Sequence, residues 1–182
     1  MNRNVAFQPV RSTLMWLLAA CCAGAAEKLA QAMNAAPRHL PTVEAYCRTR
    51  MMQGAALIRL VDSKGTTALE DAVAAAQKQC QWHSAGAFSL LANTWSTRAD
   101  LTGQAELKTH AIEAWTEAAK LDPYGLTFPF RIFETELALG HAEAARKWAA
   151  RLVELDKLQR LDELKRLSPE QRSEVEAALK QP

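Results

Sequence analysis

Glycine and proline are scarce in this chain, with seven of each among 182 residues. No stretch alternates apolar and polar residues with the β-branched enrichment that is typical of strands. Alanine, the residue with the highest helix propensity, is abundant. These features exclude a β-rich fold and predict helix nearly throughout, in a chain long enough for one well-buried domain.

An excess of one charge sign is also lacking, since 22 Lys and Arg oppose 20 Asp and Glu. Without a basic block interleaved with aromatic residues, we expect no nucleic-acid partner. The chain has no G-x-S-x-G, P-loop or G-x-G-x-x-G motif, and its four histidines form no H-E-x-x-H and no metal-ligand spacing with cysteine. We therefore expect neither an enzyme nor a bound metal or cofactor.

The first 25 residues have the layout of an export signal. Arg3 and Arg11 occur without any acidic residue and precede an apolar run from Leu14 to Ala26. The run is about a dozen residues long, shorter than the roughly 20 residues that a membrane-spanning helix needs. Small residues then end the segment, as they do before a signal-peptide cleavage site.

Two processing sites are visible in this segment. Ala23-Gly24-Ala25 fits cleavage after Ala25, whereas Leu18-Ala19-Ala20-Cys21 resembles the lipobox of bacterial lipoproteins. That resemblance implies lipidation of Cys21 and attachment to the outer membrane of a Gram-negative host. Three interpretations stay open: a lipoprotein, a soluble periplasmic protein, and a chain whose first helix is an uncleaved anchor or is buried. All of them except the buried first helix place the domain outside the cytoplasm.

Two cysteines, Cys47 and Cys80, remain in the body of the chain. In an oxidising compartment they can form one disulfide that staples two helices. The alternative is two small buried thiols, because free cysteine is among the most buried residue types.

Apolar periodicity and helix breakers predict about eight short helices. Residues 26–42 read as a short helix or tether that precedes the domain over 43–182. Within the domain, helices are predicted at about 43–61, 67–80, 84–98, 104–121, 128–139 and 142–156. The helix that begins at 142 is expected to continue through 167, and a final helix begins at 169. Thr67 with Glu70 predicts a capping box, and Ser84 and Ser168 predict N-caps. The turn over 122–125 predicts a left-handed glycine at its end.

A pattern of small and apolar residues returns after 34 positions. "AIEAWTEAAKLDP" begins at Ala111, and "AARKWAARLVELDK" places Ala145 at the equivalent position. Ala72 precedes Ala111 by 39, so the upstream unit needs an insertion, which we place in "STRADLTG". Helix pairs with this period resemble the tetratricopeptide (TPR) repeat family, although Lys157 replaces the closing proline and Glu136 replaces an aromatic residue or leucine.

The resemblance implies an all-α fold in which antiparallel helix pairs stack as a short right-handed superhelix. The clearer repeats cover 84–123 and 126–157, a degenerate repeat covers 43–80, and capping helices cover 158–182. It also implies a groove lined by the first helix of each pair, with these candidate partner-binding residues: Ser89, Asn93, Ser96, Phe130, Glu134, Leu137 and Ala138. Phe130 and Leu137 have the alternative of packing in the core.

The function that the resemblance implies is a protein-protein interaction adaptor or scaffold for an envelope complex, with a protein or peptide as its partner. The alternative is a helical binding protein for a small apolar ligand or lipid. Such a ligand would use a cavity between helix pairs, formed at the many alanine positions and at four tryptophans: Trp82, Trp95, Trp115 and Trp148.

Overall fold

A computed structural model of the chain describes residues 8–159, 162 and 165–180, so Arg3 of the predicted signal lies outside them. These residues form eight α-helices: α1 Gln8–Ala35, α2 Leu40–Arg59, α3 Lys64–Gln79, α4 Ala85–Thr102, α5 Lys108–Leu121, α6 Thr127–Ala138, α7 Ala142–Leu158 and α8 Pro169–Lys180. Two short 3₁₀ segments, Cys80–Trp82 and Ala105–Leu107, precede α4 and α5. No strand occurs in the described part of the chain, and the predicted all-α class is confirmed.

The helices pack as three helical hairpins joined by tight turns. Hairpin 1 is α2 with α3, hairpin 2 is α4 with α5, and hairpin 3 is α6 with α7. The second helix of each of the first two hairpins packs against the first helix of the next, while α1 packs on α2 and α8 on α7. The predicted antiparallel helix pairs are therefore present in the predicted order. The right-handed sense of the superhelix stays a prediction.

The 34-residue period has a structural counterpart in the second helices of hairpins 2 and 3. Three equivalent positions are buried in both: Ala111 with Ala145, Trp115 with Ala149, and Ala118 with Leu152. Trp148 is half-buried and occupies the position that is equivalent to Ala114, one residue before Trp115. Small residues recur where two helices approach closely, which is why the sequence pattern repeats.

Hairpin 2 carries the inserted residues. The first helix of this hairpin was expected to stop at Arg98, but α4 continues to Thr102 because Ala99 is also buried. Gly103, with φ of 71°, then ends the helix, and the 3₁₀ turn over Ala105–Leu107 leads into α5. The additional turn of α4, residues 99–102, lies in the segment predicted to hold the insertion, and the 3₁₀ turn follows that segment.

The predicted N-caps at Ser84 and Ser168 are confirmed. Ser84 Oγ accepts a hydrogen bond from the Ala87 N–H at 3.1 Å, and Ser168 Oγ accepts one from the Gln171 N–H at 3.2 Å. The predicted capping box of Thr67 and Glu70 is wrong, since α3 begins a turn earlier at Lys64. The earlier start brings a glycine of α3 against α2, which is an interaction that the local pattern does not reveal.

The turn at residues 122–125 forms as predicted, but its glycine is not left-handed. The Gly125 N–H donates to the Asp122 carbonyl oxygen at 3.2 Å. A Cβ at position 125 would collide with the carboxylate of Asp122. The glycine thus leaves room for the Asp122 carboxylate, an exposed side chain that would have to rotate if a Cβ were present.

The predicted helix through 167 is wrong for the residues that the structure describes. The α7 helix ends at Leu158, while residues 160, 161, 163 and 164 lie outside the described residues. Asp156 is buried near the end of α7, and its Oδ1 accepts a hydrogen bond from the Leu167 N–H at 2.9 Å. This contact folds the chain back, so that α8 packs against α7.

The first helix runs without a break through both predicted cleavage sites. Residues 26–35, expected as a short helix or tether, form its last turns. Ala19, Cys22 and Ala26 are buried, and Ala19 packs with Ala56 and Leu57 of α2. Within the described residues, Ser12–Ala35 is long and apolar enough to cross a membrane by length and composition, a test that signal sequences also pass.

Cys47 and Cys80 are free thiols in the structure, and their pairing in an oxidising compartment stays a prediction. Cys47 is fully buried, and its Sγ donates to the Ala72 carbonyl oxygen at 3.3 Å. Cys80 is half-buried, and its Sγ lies 3.7 Å from the carbonyl oxygen of Ala76, to which it donates. Both sulfurs therefore contact backbone carbonyls of α3.

We expect Cys47 to resist alkylation in the folded protein. Burial raises the pKa of its thiol to about 12, outweighing the backbone hydrogen bonds that lower it, so the reactive thiolate is scarce near neutral pH. Peptide mass spectrometry after iodoacetamide treatment should show Cys47 modified only once denaturant unfolds the chain, with half-buried Cys80 modified earlier. Equal rates at Cys47 with and without denaturant would contradict the buried position.

Candidate functional site

A polar cavity of about 480 Å³ lies where α4, α5 and α6 meet. It is lined by Asn93, Ser96, Thr97, Lys108, Trp115, Arg131, Glu134, Thr135 and Ala138. The cavity brings together four of the seven candidate groove residues: Asn93, Ser96, Glu134 and Ala138. They come from the first helices of hairpins 2 and 3, as the repeat resemblance implies.

The charged groups of this cavity are held by short ion pairs. Arg131 Nη1 lies 3.1 Å from Glu134 Oε2 one turn along α6, and Lys108 Nζ lies 2.9 Å from Asp100 Oδ1 of α4. The Thr135 hydroxyl donates to the Arg131 carbonyl oxygen at 2.8 Å. The lining thus offers amide, hydroxyl, guanidinium, ammonium and carboxylate groups, a mixture that suits the donors and acceptors of a peptide.

A second polar cavity, of about 460 Å³, adjoins the first. Arg131 and Glu134 line both, and Phe130 lines the second. The turn after α5 and the segment before α8 form its other walls, with Tyr124 and Lys165 among them. We call the two cavities together the polar groove.

The remaining candidate residues have other surroundings. Phe130 is only 7% exposed and its ring lies 5.9 Å from that of Phe133, so most of its surface belongs to the core of hairpin 3. Leu137 is half-buried against the same core. Ser89 is half-buried and lines neither cavity. Phe130 thus belongs to this core and also lines the second cavity, while Leu137 packs against the core.

An apolar cavity of about 660 Å³ lies on the other side of hairpin 2. Because an α-helix turns about 100° per residue, Leu91 and Trp95 face away from Asn93 on α4. The cavity is lined by Gln77, Phe88, Leu91, Trp95, His110, Ile112, Glu113, Ala114, Thr116 and Glu117. Its base is aromatic and aliphatic, and its carboxylates come from α5.

One of the four tryptophans named for an apolar ligand, Trp95, lines this apolar cavity. Trp115 faces the polar groove, and Trp148 packs against the cores of hairpins 2 and 3. Trp82 is 39% exposed and stacks under the guanidinium of Arg38 at 4.1 Å.

No protein-family model matches the chain, and no curated protein is similar to it. Two solved structures of MamA resemble it in shape. One is 14% identical over 87% of this chain and 85% of MamA, with a TM-score of 0.49. The other is also 14% identical, over 93% of this chain and 88% of MamA, with the same TM-score.

Proposed function

We propose that the chain is a helical-repeat adaptor that binds a segment of another protein in the polar groove, and that it is not an enzyme. The observation that carries the proposal is the convergence of Asn93, Ser96, Glu134 and Ala138 in one cavity between successive hairpins. Rigid helices present these side chains, so an extended or helical peptide can bind with little reorganisation of the groove.

We further propose that the adaptor is exported and acts in the cell envelope, held on the periplasmic side by a lipid on Cys21. The lipobox-like residues and the exposed position of Cys21 on an apolar helix support this proposal. A soluble periplasmic form is the alternative. Intact mass of protein from its native host separates a lipidated start at Cys21 from a free start at Ala26.

Charge reversal in the groove tests the adaptor function. We expect Arg131→Glu to lower recovery of a protein partner from detergent-solubilised envelope about tenfold, equivalent to about 1.4 kcal/mol, because it removes a charged contact. Arg48→Glu is the matched control, since Arg48 also pairs with a glutamate one turn away on its own helix but lies on α2 outside both polar cavities.

Quantitative mass spectrometry of the captured proteins gives the readout, and thermal unfolding verifies that both variants fold. Equal partner recovery by the two variants would contradict the groove assignment. Repeated failure to recover any protein with the unmodified chain would contradict the adaptor function itself.

The apolar cavity supports a second candidate function, the binding of a small apolar ligand or lipid. Its volume and its aromatic and aliphatic base around Phe88, Leu91 and Trp95 suit such a molecule. Native mass spectrometry that detects no co-purifying ligand would remove this alternative.

A further inference from the structure

The turn between α2 and α3 places a valine where the backbone favours glycine. Val61 has φ of 58°, in the left-handed region that β-branched residues rarely adopt. Its side chain is also 93% exposed, the highest value among the exposed large hydrophobic residues of the described chain. Neither the backbone conformation nor burial explains an apolar residue at this position.

The hydrogen bonds around Val61 identify the turn as a Schellman motif. The Asp62 N–H donates to the Leu57 carbonyl oxygen, and the Val61 N–H donates to the Ile58 carbonyl oxygen, both at 2.9 Å. Val61 occupies the C′ position, which is glycine in most motifs of this kind because glycine has no Cβ to strain.

Hairpin 3 contains the same motif with glycine in that position. The His141 N–H donates to the Glu136 carbonyl oxygen at 2.9 Å, and the Gly140 N–H donates to the Leu137 carbonyl oxygen at 3.0 Å. Gly140 has φ of 75°, and Gly103 ends the first helix of hairpin 2 with φ of 71°. The chain therefore closes two of its three hairpins with glycine, and only the turn of hairpin 1 has a β-branched residue in this left-handed position.

Two cations flank the exposed valine. Arg59 and Lys64 are exposed, and neither forms an ion pair with any residue in the described part of the chain. The one acid of the turn, Asp62, is half-buried and its Oδ1 accepts a hydrogen bond from the Lys64 backbone N–H at 2.9 Å. The tip of hairpin 1, residues 59–64, thus presents an apolar side chain between two unpaired positive charges.

The tip lies beside the apolar part of α1. Asp62 and Lys64 line a cavity together with Ala20 and Ala23, which lie directly before and after Cys21 and Cys22 on α1. The tip therefore lies next to the residue that carries the lipid in the proposed function.

We propose that the tip of hairpin 1 is a membrane-contact site, which inserts Val61 among the headgroups of an anionic bilayer while Arg59 and Lys64 bind lipid phosphates. An apolar side chain flanked by cations matches the interface between acyl chains and negatively charged headgroups. The inference rests on the membrane location in the proposed function. It adds a second contact, which would hold the hairpins in one orientation relative to the bilayer.

Photocrosslinking of the full chain in its membrane tests the contact. A photoreactive amino acid replaces Val61 in one variant and Tyr124 in another, because Tyr124 is 65% exposed in the turn between hairpins 2 and 3. We expect lipid adducts at position 61 in several-fold excess over position 124. The position-61 variant can then carry Arg59→Gln or Lys64→Gln as a further substitution. In vesicles of phosphatidylglycerol, we expect each of the two to lower the yield of lipid adducts at position 61 by about fivefold.

Adducts to another protein or to a second copy of the chain, or equal lipid yields at the two positions, would overturn the contact site while leaving membrane anchorage intact. A chain absent from the membrane fraction would instead refute the membrane location in the proposed function. The two failures are therefore distinguishable.

Thermal unfolding tests separately whether Val61 strains the turn between α2 and α3. We expect Val61→Gly to raise the Tm by relieving the left-handed backbone, and Gly140→Val to lower it. A lower Tm for Val61→Gly would show that the valine stabilises the turn, and would overturn the inference.

Discussion

Gly65→Ala is expected to lower the free energy of unfolding by about 2 kcal/mol or more, because α2 and α3 have no space for an additional carbon at their crossing. A Cβ at position 65 would lie 2.9 Å from the Ile58 nitrogen and 3.0 Å from the Gly54 carbonyl oxygen. Both are backbone atoms that can move only if the two helices separate. Urea unfolding monitored by circular dichroism measures the change.

Gly86→Ala is the matched control for this substitution. Its Cβ would meet only the Cδ2 atom of Leu40, at 2.9 Å, and that atom ends a flexible side chain. The control should therefore change stability by less than about 1 kcal/mol, with the gain in helix propensity offsetting a small displacement. Similar losses for the two variants would show that the helix crossing is not tightly packed.

Asp156→Ala is expected to destabilise the protein by roughly 3 kcal/mol, because it leaves two guanidinium groups without their carboxylate. Asp156 Oδ2 lies 3.2 Å from Arg166 Nη2 and 3.0 Å from Arg172 Nη2, and Oδ1 accepts the Leu167 N–H. Asp156→Asn should lose less, since an amide oxygen can still accept from the backbone. Urea unfolding should show the unmodified protein to be the most stable, Asp156→Asn less stable and Asp156→Ala the least stable.

The pH dependence gives a second measurement of the same contact. Burial would raise the pKa of Asp156, but the Arg166 and Leu167 hydrogen bonds and the charges of Arg172 and Arg166 outweigh it and hold the pKa below its usual value. The folded protein therefore gains stability from the carboxylate above the ordinary aspartate pKa. This gain is lost as the pH falls through the lowered value.

The stability difference between the unmodified protein and Asp156→Asn should be constant near neutral pH and shrink in acid. Glu154→Gln, on the exposed side of α7, should change stability by no more than about 0.5 kcal/mol and show no such trend. A difference of the same size at acid and neutral pH would contradict the role assigned to Asp156.

Features encoded by neighbouring residues could be predicted from the sequence. The caps at Ser84 and Ser168 need only a side chain and an amide three residues away. The 34-residue spacing of Ala111 and Ala145 reflects a helix crossing shared by hairpins 2 and 3, and the family resemblance carried by this spacing predicted the stacked helix pairs.

Features that depend on residues distant in the sequence were missed. Thr67 and Glu70 match a capping box, but α3 begins at Lys64, and Gly65 in its first turn lies close against α2. The end of α7 depends on partners of Asp156 that lie 10 to 16 residues further along the chain. No local pattern reports such contacts.

Some residues of the candidate site could likewise be predicted from the sequence, and others could not. Asn93 and Ser96 lie on a polar helix face that periodicity identifies, whereas Glu134 and Ala138 come from the repeat resemblance, and all four line one cavity. Lys108 and Arg131 also line it, but each looks like an ordinary solvated charge in the sequence. Phe130 matched the repeat template, yet its burial against Phe133 depends on how hairpin 3 packs.

The substantial helix–helix contacts of the described chain join elements that are adjacent in sequence, apart from the contact of α2 with α4. Such a chain has low contact order, so its hairpins can form quickly and in any order without waiting for distant segments to meet. Each hairpin is then stabilised by its interfaces with its immediate neighbours, so the ends of the stack can unfold while the centre stays folded. Loss of α8 would remove one interface, whereas disruption of α4 would divide the stack in two.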